Sequence, residues 1–133
     1  MKKTFIIFIV SLLFCSCASL LDLPKKVAGY SISHFEKETD GKFEFDSNIS
    51  AKKAYNKCNL FIFENNLKTN FKSDKKLYVV ASQFSLIFEN CLDSTDVGFF
   101  VYPIDDNNSK IEVVSNNSLL AKFVYDKLVE YFK

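Results

Sequence analysis

The sequence predicts an α+β domain, an antiparallel sheet of about four to five strands with two helices packed on one face. Three observations carry this prediction. Two segments, 50–65 and 118–132, repeat apolar residues at helical spacing. Several short runs alternate apolar and polar residues, as half-buried strands do. The order is strands, a helix, three or so strands, and a second helix. With short polar connections, that order suits an antiparallel sheet carrying both helices on one side.

Taken along the chain, Tyr30-Ser31-Ile32-Ser33-His34 alternates and reads as an edge strand. Lys42-Phe43-Glu44-Phe45-Asp46 alternates more clearly, with Phe43 and Phe45 on one face. Thr39-Asp40-Gly41 supplies a turn, so the two runs can pair as a hairpin. Ser50 is positioned to cap the next element. From there Ala51, Ala54, Tyr55, Cys58 and Ile62 form a helical stripe, which puts Cys58 on the buried face. Asn65-Asn66 ends that helix.

Leu67 to Phe71 reads as a short strand, Ser73 to Lys76 as a turn and Leu77 to Ala81 as an apolar β-run. Beyond it two continuations are open: the strand extends to about 89, or it breaks into a helical turn near Cys91. Asp93-Ser94-Thr95-Asp96 reads as a solvated turn. Val97 to Ile104 and Ile111 to Val114 form a hairpin across the polar connection Asp105 to Ser109. Pro103 suits the end of a strand. In the last helix Leu120, Phe123, Val124, Leu128 and Tyr131 face one way. Lys122, Asp126, Glu130 and Lys133 face the other, and Lys127 snorkels from the apolar arc.

Composition narrows the function. The chain has 133 residues, enough for one domain, and 48% are apolar, enough for a packed core. All 17 basic residues are Lys, so the side chain best suited to bidentate phosphate and base-edge contacts is missing. Net charge is +1, and removing Lys2 and Lys3 leaves about −1. No electrostatic footprint for nucleic acid is present. His34 is the sole imidazole, which excludes a His-based metal cluster, and its place near the N-terminal tether argues against a catalytic triad. Asp105-Asp106-Asn107-Asn108 lacks the spacing and terminal Glu of a calcium loop. Three glycines form no phosphate-binding loop. The expectation is a protein that is not an enzyme and needs no cofactor.

The N-terminus carries a signal of its own. Met1-Lys2-Lys3-Thr4 is a short basic start, followed by the uncharged apolar run Phe5 to Phe14. This is the layout of an export signal, and the run is shorter than the roughly 20 residues of a membrane span. Extending it to Leu21 gives a borderline span, so an uncleaved single-span anchor is a second reading. The lysines favour a cytoplasmic N-terminus with the rest of the chain outside. Leu13-Phe14-Cys15-Ser16-Cys17-Ala18 resembles the bacterial prolipoprotein class, whose lipobox sets small residues before a Cys. The resemblance implies cleavage before Cys17, thioether lipidation of Cys17 and anchoring of the chain in a bilayer by acyl groups. Cys15 fits less well, because bulky Phe14 would then stand at the cleavage junction. By the same resemblance, Ala18, rather than the Asp that marks inner-membrane retention in some envelopes, mildly favours the outer membrane. The resulting organisation is a signal peptide at 1–16, a lipidated tether at 17–29 and an α+β domain at 30–133.

The remaining cysteines, Cys58 and Cys91, are an even pair in a disulfide-permissive compartment, so a bond between them is expected. By the chain-entropy argument it would contribute roughly 3–4 kcal/mol. Phe84, Phe88, Phe99, Phe100 and Tyr102 exceed what one sheet face buries by alternation. Phe99 and Phe100 are consecutive and must point to opposite faces. One of them therefore leaves the helix-covered side. Ordinary core burial is one reading, and a partner surface at Phe99 and Phe100 is the sharper one. The functional expectation is a tethered envelope module that binds a protein or another envelope component. A small-ligand or lipid-binding module is the alternative.

Overall fold

A computed structural model describes residues 41–133. The segments read as a signal peptide (1–16) and a tether (17–29), with Cys15 and Cys17, the 30–34 run and His34 all lie outside the described residues.

The described residues form a five-stranded antiparallel sheet and two helices, an α+β fold. The elements are β1 (Lys42–Ser47), α1 (Ala51–Glu64), β2 (Lys68–Ser73), β3 (Tyr78–Ser82), a 3-10 turn (Phe84–Leu86), β4 (Val97–Pro103), β5 (Ser109–Val114) and α2 (Ser118–Phe132). The strand order is β1-β5-β4-β3-β2. β4 and β5 are the predicted hairpin, with Phe100 opposite Glu112 and Phe99 opposite Val113. β1 joins the outer side of β5, with Phe43 opposite Val113 and Phe45 opposite Ile111.

Alternation decides what each face buries. Val79, Ala81, Val97, Phe99, Val101, Ile111 and Val113 point to one side and join a single core cluster. Ala54, Tyr55, Cys58, Phe61 and Ile62 of α1 and Leu120, Val124 and Leu128 of α2 complete it. Both helices therefore lie on the same face, α1 mainly over β4 and its neighbours β3 and β5, α2 over β1 and β5. The helices touch through Phe61 and Tyr131, whose ring centroids are 5.5 Å apart, and the Tyr131 hydroxyl donates to Glu64 at 2.7 Å.

Local sequence explains the ends. Asn66 adopts φ 55°, a left-handed conformation that Asn tolerates, and Leu67 N–H and Asn66 N–H close back onto Ile62 and Phe63 carbonyls. This C-terminal motif stops α1 at the two asparagines. Ser50 occupies the N-cap of α1 but its side chain makes no capping bond, contrary to its expected role. At α2 Asn117 does cap, its Oδ1 accepting from Leu120 N–H at 3.0 Å. The strand at 78–82 does not run on to 89. Gln83 takes φ 68°, which turns the chain into the 3-10 segment and buries Phe84. Among the described residues no helix is long and apolar enough to cross a membrane.

Candidate functional site

The two cysteines expected to pair are both free thiols. Cys58 sits in the middle of α1, fully buried among core side chains. Burial pushes its thiol up to about 12. Cys91 stands in the loop between the 3-10 turn and β4, half-buried, its thiol directed to the Phe88 carbonyl at 3.3 Å. Its thiol is also pushed up, by burial first and by the nearby Asp93 second. The expected bond is therefore absent between these two described cysteines. Neither thiol has the depressed pKa of a reactive cysteine.

Phe99 and Phe100 point to opposite faces, as alternation requires, but neither is exposed. Phe99 belongs to the helix-covered core, 6.3 Å from the ring of Phe61. Phe100 lies on the other face, beside Tyr78 at 5.8 Å, and is only 3% exposed. The aromatic surface expected at these residues is therefore not an open one. Gly98 contributes to this. A Cβ there would meet Phe100 Cε2 at 2.7 Å, so the missing side chain is the space into which the ring folds.

The carboxylates are structural. Asp96, read as part of a solvated turn, is 6% exposed instead. Its Oδ1 accepts from Asn70 Nδ2 at 2.7 Å, and its backbone carbonyl accepts from the Ser115 hydroxyl at 2.7 Å. Burial raises its pKa, and the Asn70 hydrogen bond works against that rise. Asn70 is the extra residue at the β2 bulge, which aims it at Asp96. Asp105 accepts from the backbone N–H groups of Asn107 and Asn108 and from the Asn108 side chain. This makes 105–108 a self-satisfied turn, as expected of the hairpin connection. Asp74 accepts from the Tyr55 hydroxyl at 2.7 Å, tying the β2–β3 turn to α1. Among the described residues, no group of three or more His, Cys, Asp and Glu side chains could hold a metal ion.

Sequence reasoning missed the surface built by the loop after the 3-10 turn. Phe88 stacks on Phe123 of α2, with centroids 5.0 Å apart. Below that stack, Phe61, Asn65, Ile87, Phe123 and Lys127 line a groove of about 420 Å³ between the helices. Lys127 holds its ammonium 5.8 Å from the Phe123 ring, the snorkelling expected of it. Around the loop and the start of α2 three leucines are open to solvent: Leu86 at 63%, Leu92 at 74% and Leu119 at 71%. Leu92 and Asn117 line one shallow depression, which places the loop beside the start of α2. The available signal was Leu119, which stands off the apolar stripe of its helix. No family model matches this chain, and no curated protein matches it either.

Proposed function

We propose that the protein is a bacterial envelope lipoprotein, cleaved before Cys17, lipidated there and held in the membrane by its acyl chains. Its α+β domain acts as a non-enzymatic binding module for a protein or another envelope component. The observation that carries this reading is the N-terminal sequence: Lys2-Lys3, an uncharged run to Phe14, then Ser16-Cys17. A diacylglyceryl thioether would supply two chains, the condition for stable attachment. On the domain, the exposed Leu92 and, two residues past Asn117, Leu119 support the partner reading, since apolar exposure around one depression suits a contact surface. The second reading, a small-ligand or lipid-binding module, is favoured by one observation, the groove that Phe61, Ile87 and Phe123 line together with Asn65 and Lys127.

Intact mass spectrometry of the protein extracted from membranes tests the anchor. A chain beginning at Cys17 and carrying acyl groups is expected, with no two-dalton shift on reduction. A mass beginning at Met1 would instead give the uncleaved anchor, and an unlipidated mature chain a secreted protein.

A further inference from the structure

Charge is unevenly shared along the domain. From Ser50 to Leu77, through α1, β2 and the turn after it, the chain carries seven lysines against two acids, Glu64 and Asp74. The other described residues carry five lysines against ten acids. Six of the seven lysines are exposed, and Lys57 is half-buried. Folding gathers them. The Tyr55 hydroxyl donates to Asp74 at 2.7 Å, which draws the turn that holds Lys75 and Lys76 against the first half of α1. Lys52 holds its ammonium 5.4 Å from the Tyr55 ring on the same flank. The ion pairs among the described residues use other lysines, Lys42, Lys110 and Lys122.

The same helix exposes apolar side chains. Phe63 is 78% exposed, the most open large hydrophobic side chain among the described residues, and Leu60 is 47% exposed. Three residues apart in α1, they share its outer face. Lys53 stands two turns before Leu60 on that face, and Lys52 three turns before Phe63. Lysine is depleted where proteins meet one another. Phe and Leu bordered by lysines are instead the pattern of a surface that lies in the headgroup region of a bilayer. There the apolar tips enter the acyl boundary while the ammonium groups reach lipid phosphates.

We propose that α1 and the β2–β3 turn dock on an anionic phospholipid bilayer, with Leu60 and Phe63 inserted and Lys52, Lys53, Lys75 and Lys76 on the phosphates. The inference rests on the envelope reading only for a bilayer within reach.

The test uses the full chain as recovered from cells, reconstituted into vesicles of phosphatidylethanolamine with phosphatidylglycerol, or of phosphatidylcholine alone. p-Benzoyl-phenylalanine replaces Phe63 or, as the control, Asp46, which is exposed on the sheet face away from the helices. On irradiation, lipid adducts are expected at Phe63 in the anionic vesicles, at a yield about tenfold or more above that in the neutral ones. Few are expected at Asp46 in either. Lys53→Glu, Lys75→Glu and Lys76→Glu together should bring the anionic yield down to the neutral level at unchanged Tm; Lys→Gln versions replace them if the reversals do not fold. Equal yields in the two lipids, equal yields at Phe63 and Asp46, or no response to the charge changes would overturn the proposal. So would adducts from Phe63 to a protein in place of lipid in intact envelopes. Flotation with neutral vesicles reports the acyl anchor separately. A chain that floats without lipid adducts at Phe63 keeps the anchor and loses this docking face. A chain that floats only with anionic vesicles, and cross-links to them at Phe63, loses the anchor and keeps the face.

Discussion

Phe99 and Phe100 are neighbours in sequence, equally aromatic and equally hidden, yet they are buried by different means. Phe99 faces a layer built from two helices, and its surroundings are the side chains of α1 and the central strands. Phe100 rests on its own sheet, in the space above Gly98 and beside Tyr78. The first kind of burial is rigid, because helices anchored at several strands cannot collapse into a vacancy. The second depends on the space that one glycine leaves on the same face of its strand. Equal exposure therefore does not imply equal energetic weight, since the cost of a deletion depends on how far the surroundings relax.

The largest effect is expected where relaxation is least. Phe99→Ala should destabilise the domain by about 3–5 kcal/mol, measured by urea denaturation at unchanged m-value. Phe100→Ala should cost about 1–2 kcal/mol less than Phe99→Ala, the difference being relaxation over the ring. Equal losses would erase the distinction between the faces. Next comes Gly98→Ala, which forces the Phe100 ring from its place and should cost about 1–3 kcal/mol, as overpacking does. In the Phe100→Ala background that penalty should largely vanish. If it persists, the glycine is needed for backbone reasons and not for the ring.

Much of this architecture was legible in the sequence, and the parts that were not share a cause. Both helices, the 97–114 hairpin and β1 follow from periodicities that a single segment displays. The opposite orientation of Phe99 and Phe100 followed from the two-residue repeat of a strand. The burial of Phe100 did not, because it depends on what the same strand lacks two residues earlier, at Gly98. Asp96 looked like a turn residue among Asp93, Ser94 and Thr95. Its partner Asn70 lies 26 positions away at a β2 bulge, and bulges leave no reliable mark in composition. The disulfide expectation rested on parity and compartment, which contain no information on where a helix face directs its sulfur. The exposed leucines were visible as residues, but the loop that gathers them turns on the left-handed Gln83, a conformation its type does not advertise.

A carboxylate held out of water gives the comparison a pH axis. Burial raises the Asp96 pKa above its unfolded value, so the folded state favours the protonated form. Stability from this group is then fully present below the ordinary carboxylate range and is lost as pH rises through the raised folded value. Asp96→Asn keeps an oxygen for Asn70 and removes the charge. The variant should gain in Tm relative to the parent as pH rises from 3 to 7. A difference that is flat with pH would mean that the carboxylate is effectively solvated. Asp74 and Asp105 work in the other direction: hydrogen bonds from Tyr55 and Asn108 lower their pKa values, so their contributions fade on acidification in parent and variant alike.

The smallest stability effect belongs to the helix side, and its smallness is what makes it informative. Leu92 and Leu119 are 74% and 71% exposed and lie outside the core cluster. Replacing either with Ser should change stability by no more than about 0.5 kcal/mol, the usual range for surface positions. Exposed leucines that contribute little to folding are free to serve contact, which buried Phe99 and Phe100 are not. A cross-linking comparison on intact envelopes, parent against the Leu92→Ser, Leu119→Ser double variant, separates the roles. Loss of a discrete cross-linked product at unchanged Tm would place the partner on this surface. An unchanged product would move the contact away from the loop and the start of α2, and a Tm loss above 1 kcal/mol equivalent would show that the leucines pack more tightly in solution than their exposure implies.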